Sequence, residues 1–168
     1  MDFAQVIKTR HSIRQYRPDP VPEDALFRVL EAARLAPSAC NKQPWLFYVV
    51  REESLRCRLF PAAGRAWVAV APVLLIACSQ PSDAWVRSWD QKNHSDIDLA
   101  ITMEHVMLAA TNEGLGTCWI CAFNPQTIRE VLTLPAALDP VAITPLGYSV
   151  ETPAATPRKT LEEIVVWR

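Results

Sequence analysis

The stretch Thr9–Pro18, TRHSIRQYRP, holds three arginines and a histidine in a chain that is otherwise nearly neutral. How it is read decides the fold. Arg10, Ser12 and Arg14 are spaced by two, so in an extended segment all three point the same way. Two guanidiniums and a hydroxyl on one side suit a phosphate monoester. The planar fork of arginine matches phosphate oxygens, and charge-assisted hydrogen bonds are the strong ones. A plainer reading stands beside it. A helix ending here favours cations at its C-terminus, and Arg10, His11 and Arg14 then serve as solvated charges.

Working outward, the composition narrows the choice. With 168 residues, half of them apolar, the chain is read as one domain, 1–168, with a real core. Its 17 basic and 18 acidic residues give no basic surplus for nucleic acid. No apolar run reaches the ~20 residues of a membrane span. Met1-Asp2-Phe3-Ala4 does not read as a secretory leader. Five irregularly spaced cysteines indicate free thiols and a cytoplasmic setting.

Asp2 caps a first predicted helix that runs to about Thr9. A second opens at Val21–Asp24, buries Leu26, Val29, Leu30 and Ala33, and stops before Pro37. WLFYVV (45–50) and PVLLIACS (72–79) read as buried strands, with a short helix from Glu52 to about Phe60 between them. Trp85–His94 reads as a polar loop or frayed helix. Ser95 is the predicted cap of the longest helix, Asp96–Glu113, with Gly114 as its C-terminal glycine. That helix is apolar on most of its circumference, so it belongs at the centre or at a subunit interface. GTCWICAF (116–123) and VAITPLGYS (141–149) read as further strands. Asn124-Pro125 starts another helix, and KTLEEIVVW (159–167) closes the chain as a strand or short helix. Helices before, between and after a few strands indicate an α+β or α/β domain.

A second cluster, PSACNKQPW (37–45), puts Ser38, Asn41 and Gln43 in a short loop between helix and strand. Such loops present binding groups on a rigid base, although ordinary turn chemistry accounts for the same residues. Taken together, TRHSIRQYRP, then APS with N-x-QPW, then GLGTCWICAF, then PLGYSVETPAATPRKTLEEIVVW, in this order and spacing, resemble the nitroreductase family of FMN-dependent NAD(P)H oxidoreductases. The resemblance covers most of the chain.

That resemblance implies an α+β fold, sandwich-like, with a central, mostly antiparallel sheet flanked by helices in a homodimer. It implies that Arg10, His11, Ser12 and Arg14 hold the FMN phosphate and part of the polar edge of the ring. Ser38, Ala39 and Asn41 match the loop that reaches the flavin, usually from the partner subunit. The backbone around Trp119, Ile120, Cys121 and Ala122 matches the segment beside the isoalloxazine. Arg158 or Lys159 matches a basic residue that returns to the phosphate. Cys40, Cys121 and Ala122 depart from the family pattern, which often has smaller or polar residues at the first and glycines at the others. Trp85, Trp89 and His94 fall where substrate-pocket residues are expected. The implied reaction passes hydride from NADH or NADPH through flavin N5 to a nitroaromatic, quinone or conjugated enone by a ping-pong route, with Arg14 stabilising the reduced flavin. A dehalogenase and an oxygen-using dehydrogenase fit the same flavin site.

Other motifs weigh less. Cys118-x-x-Cys121 lies inside an apolar run, not at a helix start, so a dithiol redox protein is the lesser reading. A non-catalytic flavin-binding module is the other alternative. Gly114-Leu115-Gly116 lacks the third glycine of a dinucleotide fingerprint and follows a helix. Glu104-His105 lacks the second histidine of H-E-x-x-H, and no metal site is read.

Overall fold

Two apolar runs form the middle of one sheet. Strand β2 (Val73–Ser79) is buried along its whole length, and β4 (Asp139–Gly147) is buried over most of its length. The computed structural model describes residues 1–168. Strand β1 (Trp45–Val50) flanks β2, and the two-residue β3 (Gly116–Thr117) flanks β4. The order is β1-β2-β4-β3, with every pairing antiparallel. Helices cover both faces, as the unbroken apolar character of β2 requires. Val73 and Leu75 pack toward α2 (Glu23–Arg34) and α5 (Ser95–Asn112). Leu74, Ile76 and Cys78 point the other way, toward α3 (Glu53–Ala63), α4 (Ala66–Val70) and α6 (Pro125–Leu132).

Some helix ends follow their capping chemistry. Asp2 accepts the Gln5 N–H at 2.9 Å and starts α1 (Phe3–Thr9). Asn124 accepts from Gln126 and Thr127 at the start of α6. Gly114, at φ +74°, follows α5. Ser95 does not cap α5. It is the first helical residue, His94 is the cap, and the Asn93 side chain accepts the Ser95 N–H at 2.9 Å. Helix α3 runs past Phe60 to Ala63 despite Pro61, which falls in the last turn, and α4 is an addition to the predicted elements.

Two strand expectations need correction. The first, β1, is an edge strand and only half-buried: Leu46 is 45% and Val49 36% exposed. Leu46 and Val49 are three apart and so lie on opposite faces, which shows that the edge position leaves both faces of β1 partly uncovered. The second, GTCWICAF, pairs only at Gly116–Thr117 and touches β4 again through mutual Ile120–Ile143 backbone bonds of 3.0 Å. The register is the same at both places (Thr117 opposite Leu146, Ile120 opposite Ile143), which sets Cys118 opposite Pro145. Pro145 has no N–H to donate, so the ladder breaks there. The break leaves the N–H groups of Cys118 and Trp119 outside the ladder, which resumes only at Ile120.

The chain ends in a one-turn helix, α7 (Leu161–Ile164), closed by a Thr160–Glu163 capping box. Leu161, Ile164, Val166 and Trp167 are all exposed. No helix is long and apolar enough to cross a membrane.

Candidate functional site

The arginine segment is locked onto the open side of β3. Ser12 bridges Thr117 in a parallel sense, and the Ile13 N–H donates to the Thr117 carbonyl at 2.8 Å. Only glycine fits at position 116, because a Cβ there would stand 2.6 Å from Ile13 Cγ1. Further along, the Arg14 N–H donates to Glu151 Oε1 at 3.0 Å, and the Arg17 N–H to the Tyr148 carbonyl at 2.8 Å. The buried Tyr16 hydroxyl donates to the Ile13 carbonyl at 2.8 Å. Burial raises the pKa of that phenol well above the tyrosine range.

This anchoring sends alternate residues to opposite sides. Arg14 lines a hollow of about 150 Å³ together with Arg65, Trp67 and Cys118 to Ala122. His11 and Ile13 line a different hollow, with Thr9, Gly116 and Glu151. His11 is thus apart from Arg14, and its Nδ1 lies 2.7 Å from the Thr9 carbonyl. The thiol of Cys118 reports the charge in the first hollow. Burial pushes its pKa up, while the nearby Arg14, Ser12, Arg65 and Arg10 oppose that shift. Arg14 and Arg65 thus line the hollow beside this buried thiol.

None of these three arginines has a carboxylate within ion-pair distance, whereas Arg17, Arg28, Arg34, Arg51, Arg87 and Arg129 all do. Arg56, Arg58, Arg158 and Arg168 are likewise without a carboxylate partner, but only Arg14 and Arg65 line the hollow where the β3 ladder has opened. Two guanidiniums without carboxylate partners in one hollow have the chemistry to hold an anion. Arg65 was not among the sequence candidates. The available signal is that it caps the N-terminus of α4, where a cation is electrostatically disfavoured and needs another reason to stand.

The remaining candidates lie elsewhere in the protomer. Ser38, Ala39 and Asn41 belong to a separate loop, held by Gln43 N–H to Ser38 Oγ at 2.8 Å, Gln43 Nε2 to Asn41 Oδ1 at 3.1 Å and Ala39 N–H to Asp98 Oδ1 at 2.9 Å. Cys40, Asn41 and Gln43 all have φ near +51°. None of the loop residues lines the arginine hollow. Trp85 stands edge-on to His94 with ring centroids 4.7 Å apart, and Trp89 is 91% exposed. Neither tryptophan, nor His94, reaches the hollow. Arg158 and Lys159 are exposed in the tail, and the one hydrogen bond of the Arg158 side chain goes to the Pro157 carbonyl.

Cys118 and Cys121 diverge, one buried and the other exposed, with the Trp119 indole N–H donating to Cys121 Sγ at 2.9 Å. A buried thiol raised by desolvation is poorly suited to attack. His105 sits 3.1 Å from the Ala32 carbonyl and joins α5 to α2.

Comparison with known proteins gives a consistent result. The Nitroreductase family model matches residues 7–89 and 63–148. The chain is 33% identical to a protein named NADH dehydrogenase from Thermus thermophilus, over 100% of this chain and 97% of that one. It is 28% identical to an FMN reductase [NAD(P)H] of Bacillus subtilis, over 95% and 72% of the two chains. The crystal structure of a nitroreductase family protein from Clostridium difficile 630 superposes with a TM-score of 0.91 at 36% identity, covering 99% of this chain and 98% of that one.

Proposed function

The chain belongs to the nitroreductase family, and we propose that it is an FMN-dependent oxidoreductase that takes reducing equivalents from NADH or NADPH and passes them to a small nitroaromatic, quinone or conjugated enone. One observation carries this reading: Arg14 and Arg65, neither with a carboxylate partner, line a hollow bordered by backbone from the broken part of the ladder, and Arg10 stands on the same segment as Arg14. The donor set fits a cofactor with a phosphate at one end and a polar ring edge at the other. Guanidiniums supply the charge-assisted bonds for the phosphate. The backbone N–H groups of Trp119, Cys121 and Ala122, which bond no other backbone group, are available for a ring edge. FMN, when bound, supplies the hydride chemistry that no side chain of this chain can perform alone.

The residues divide the work. Arg10 and Ser12 are assigned to the phosphate. Arg14 and Arg65 flank the segment 118–122 and favour added negative charge on a bound ring, so they stabilise its reduced form. Trp67 and Ile120 close the apolar side of the hollow and limit water. One protomer leaves the hollow open toward solvent and keeps the Ser38–Asn41 loop away from it. A second copy of the chain, reading as a homodimer in the cytoplasm, completes the site by bringing that loop, Arg158 or Lys159, and the Trp85–His94 stretch over the hollow. The exposed apolar tail (Leu161, Ile164, Val166, Trp167) and the open edge of β1 are the surfaces such a partner would cover.

The test is direct. The purified protein should be yellow, with flavin absorbance released as FMN on denaturation. It should consume NADH or NADPH steadily when an acceptor from a nitroaromatic, quinone and enone panel is present. A colourless protein that gains no flavin on titration with FMN overturns the reading. A yellow protein without turnover on any acceptor reduces it to a binding module.

A further inference from the structure

The loop Ser38–Gln43 contains three non-glycine residues in the left-handed region, at φ 51°, 52° and 51°. Each such residue is strained, and such strain persists only where surrounding contacts over-determine it. Two of those contacts lie inside the loop, from Gln43 to Ser38 and Asn41. The contact that ties the loop to the body of the protein through a charged side chain comes from Asp98, in the first turn of α5. Its Oδ1 accepts the Ala39 N–H at 2.9 Å, although 59 residues separate the two.

Asp98 is only 2% exposed. No protein group bonds its second oxygen, and the same holds for His94 Nε2, one turn earlier on the same face. The α5 N-terminus favours the charge, but half-satisfied burial of a carboxylate is still costly. An apolar residue would suit a helix packed this deeply better, if stability were all that mattered. The carboxylate is explained by what it holds.

We propose that Asp98 is a positioning residue for the flavin-facing loop. By fixing the Ala39 amide it sets the left-handed turn at Cys40–Asn41, and through it the placement of Ser38 and Asn41 against the cofactor bound by a second copy. Its backbone N–H also donates to the His94 carbonyl at 2.9 Å, so the loop and the end of the Trp85–His94 stretch are fixed to one helical turn. This inference rests on the flavin reading above.

The experiment uses the full chain and compares Asp98→Ala and Asp98→Asn with the unaltered protein. Three quantities are read: hydrogen exchange at the Ala39 amide without cofactor, FMN affinity by titration, and visible circular dichroism of the bound flavin. Asp98→Ala should expose the Ala39 amide, weaken FMN roughly tenfold and change the flavin dichroism, because a charge-assisted bond to the loop is gone. Asp98→Asn keeps a carbonyl oxygen for the Ala39 N–H and should restore most of each. A purely structural role would lower the melting temperature of both variants while leaving the dichroism of the bound flavin unchanged. Equal Ala39 protection in Asp98→Ala, or the unaltered flavin dichroism and affinity, overturns the inference. Should Asp98→Ala fail to fold, Asp98→Asn and Asp98→Ser carry the same readouts, and unaltered values in both overturn it equally. Failure of the unaltered protein to bind FMN overturns the flavin reading instead, while the Ala39 exchange result still decides whether Asp98 holds the loop.

Discussion

The Ile13 amide and the Thr117 carbonyl, 2.8 Å apart, tie the cationic segment to the sheet. This one bond converts a cluster of arginines near a helix end into a directed site. It fixes the segment as extended, so Arg14 faces Cys118 to Ala122 while His11 faces away. The bond depends on how closely Ile13 approaches Gly116. A methyl at 116 would stand 2.6 Å from Cγ1 and 2.9 Å from Cβ of Ile13, a β-branched side chain with little freedom to yield. Gly116→Ala should destabilise the fold by roughly 1–3 kcal/mol, the usual cost of overpacking. It should also weaken FMN binding by moving Arg14. Denaturant titration and FMN titration of the same preparation check both; a variant matching the unaltered protein in both removes this close approach as a requirement.

The guanidiniums of Arg10, Arg14 and Arg65 should not be interchangeable with the carboxylate-paired ones. Arg10→Ala and Arg65→Ala should each weaken FMN about tenfold to a hundredfold, since a hydrogen bond to a charged group contributes roughly 1.5–3 kcal/mol. Arg17→Ala removes an exposed pair with Asp19 and should change affinity less than about threefold. Equal losses in all three variants would mean that overall positive charge, not this cradle, attracts the cofactor.

How much of this was legible beforehand differs by element. The ends of α1, α2 and α6 were readable because Asp2, Pro37 and Asn124 act locally. The interior of β2 was readable from its unbroken apolar run. The exposure of β1 was not, because an edge strand and a central one can share a composition and differ only in neighbours. The break after Thr117 needed the register to Pro145, a contact distant in sequence. Within the candidate site, Arg14, which lines the hollow, was legible from the spacing of two along an extended segment. Arg65 was not, since only the fold brings the start of α4 beside Cys118.

The thiols should separate by accessibility. Cys40, Cys57 and Cys121 are exposed, and Cys78 and Cys118 are buried. A thiol reagent at pH 8 should modify three cysteines in the folded protein and five after denaturation. Bound FMN should slow the reaction of Cys121 and leave that of Cys57 unchanged. Burial pushes the Cys78 thiol up to about 11 from 9.0. In the unfolded chain it ionises first, so the folded state holds the extra proton between these values. Stability should therefore fall as pH rises from about 9 to 11, and this part of the loss should be smaller in Cys78→Ala. Denaturation midpoints at pH 8, 9, 10 and 11 measure it; a Cys78→Ala profile parallel to that of the unaltered protein would remove Cys78 as a cause.

Assembly can be tested through the tail. Leu161, Ile164, Val166 and Trp167 contribute no buried residue to their own protomer. Deleting 160–168 should therefore leave the far-ultraviolet dichroism of the core intact. It should convert a dimer to a monomer at micromolar concentration and reduce FMN occupancy, because the partner's contribution to the site is lost. Sedimentation of the full and shortened chains decides this; a full-length monomer with complete FMN occupancy would falsify the two-copy site.

The two tryptophans of the 85–94 stretch differ in a way that makes the lid testable. Trp85 packs edge-on against His94, so part of its role is to hold its own loop. Trp89 is 91% exposed and has no such partner in its protomer. A large indole left in solvent is a surface waiting to be covered, and the proposed second copy supplies an open hollow lined by Arg14 and Arg65. If Trp89 covers a flat acceptor over the flavin, Trp89→Ala should raise the acceptor KM several-fold, with little change in FMN affinity or melting temperature. Trp85→Ala should change the same KM and also lower stability. Reductant and acceptor would share one face, so each must leave before the other binds. Double-reciprocal plots at varied acceptor concentration should then be parallel. Intersecting plots, or acceptor kinetics unchanged in both variants, would remove the lid and the shared face while leaving the arginine cradle as it stands.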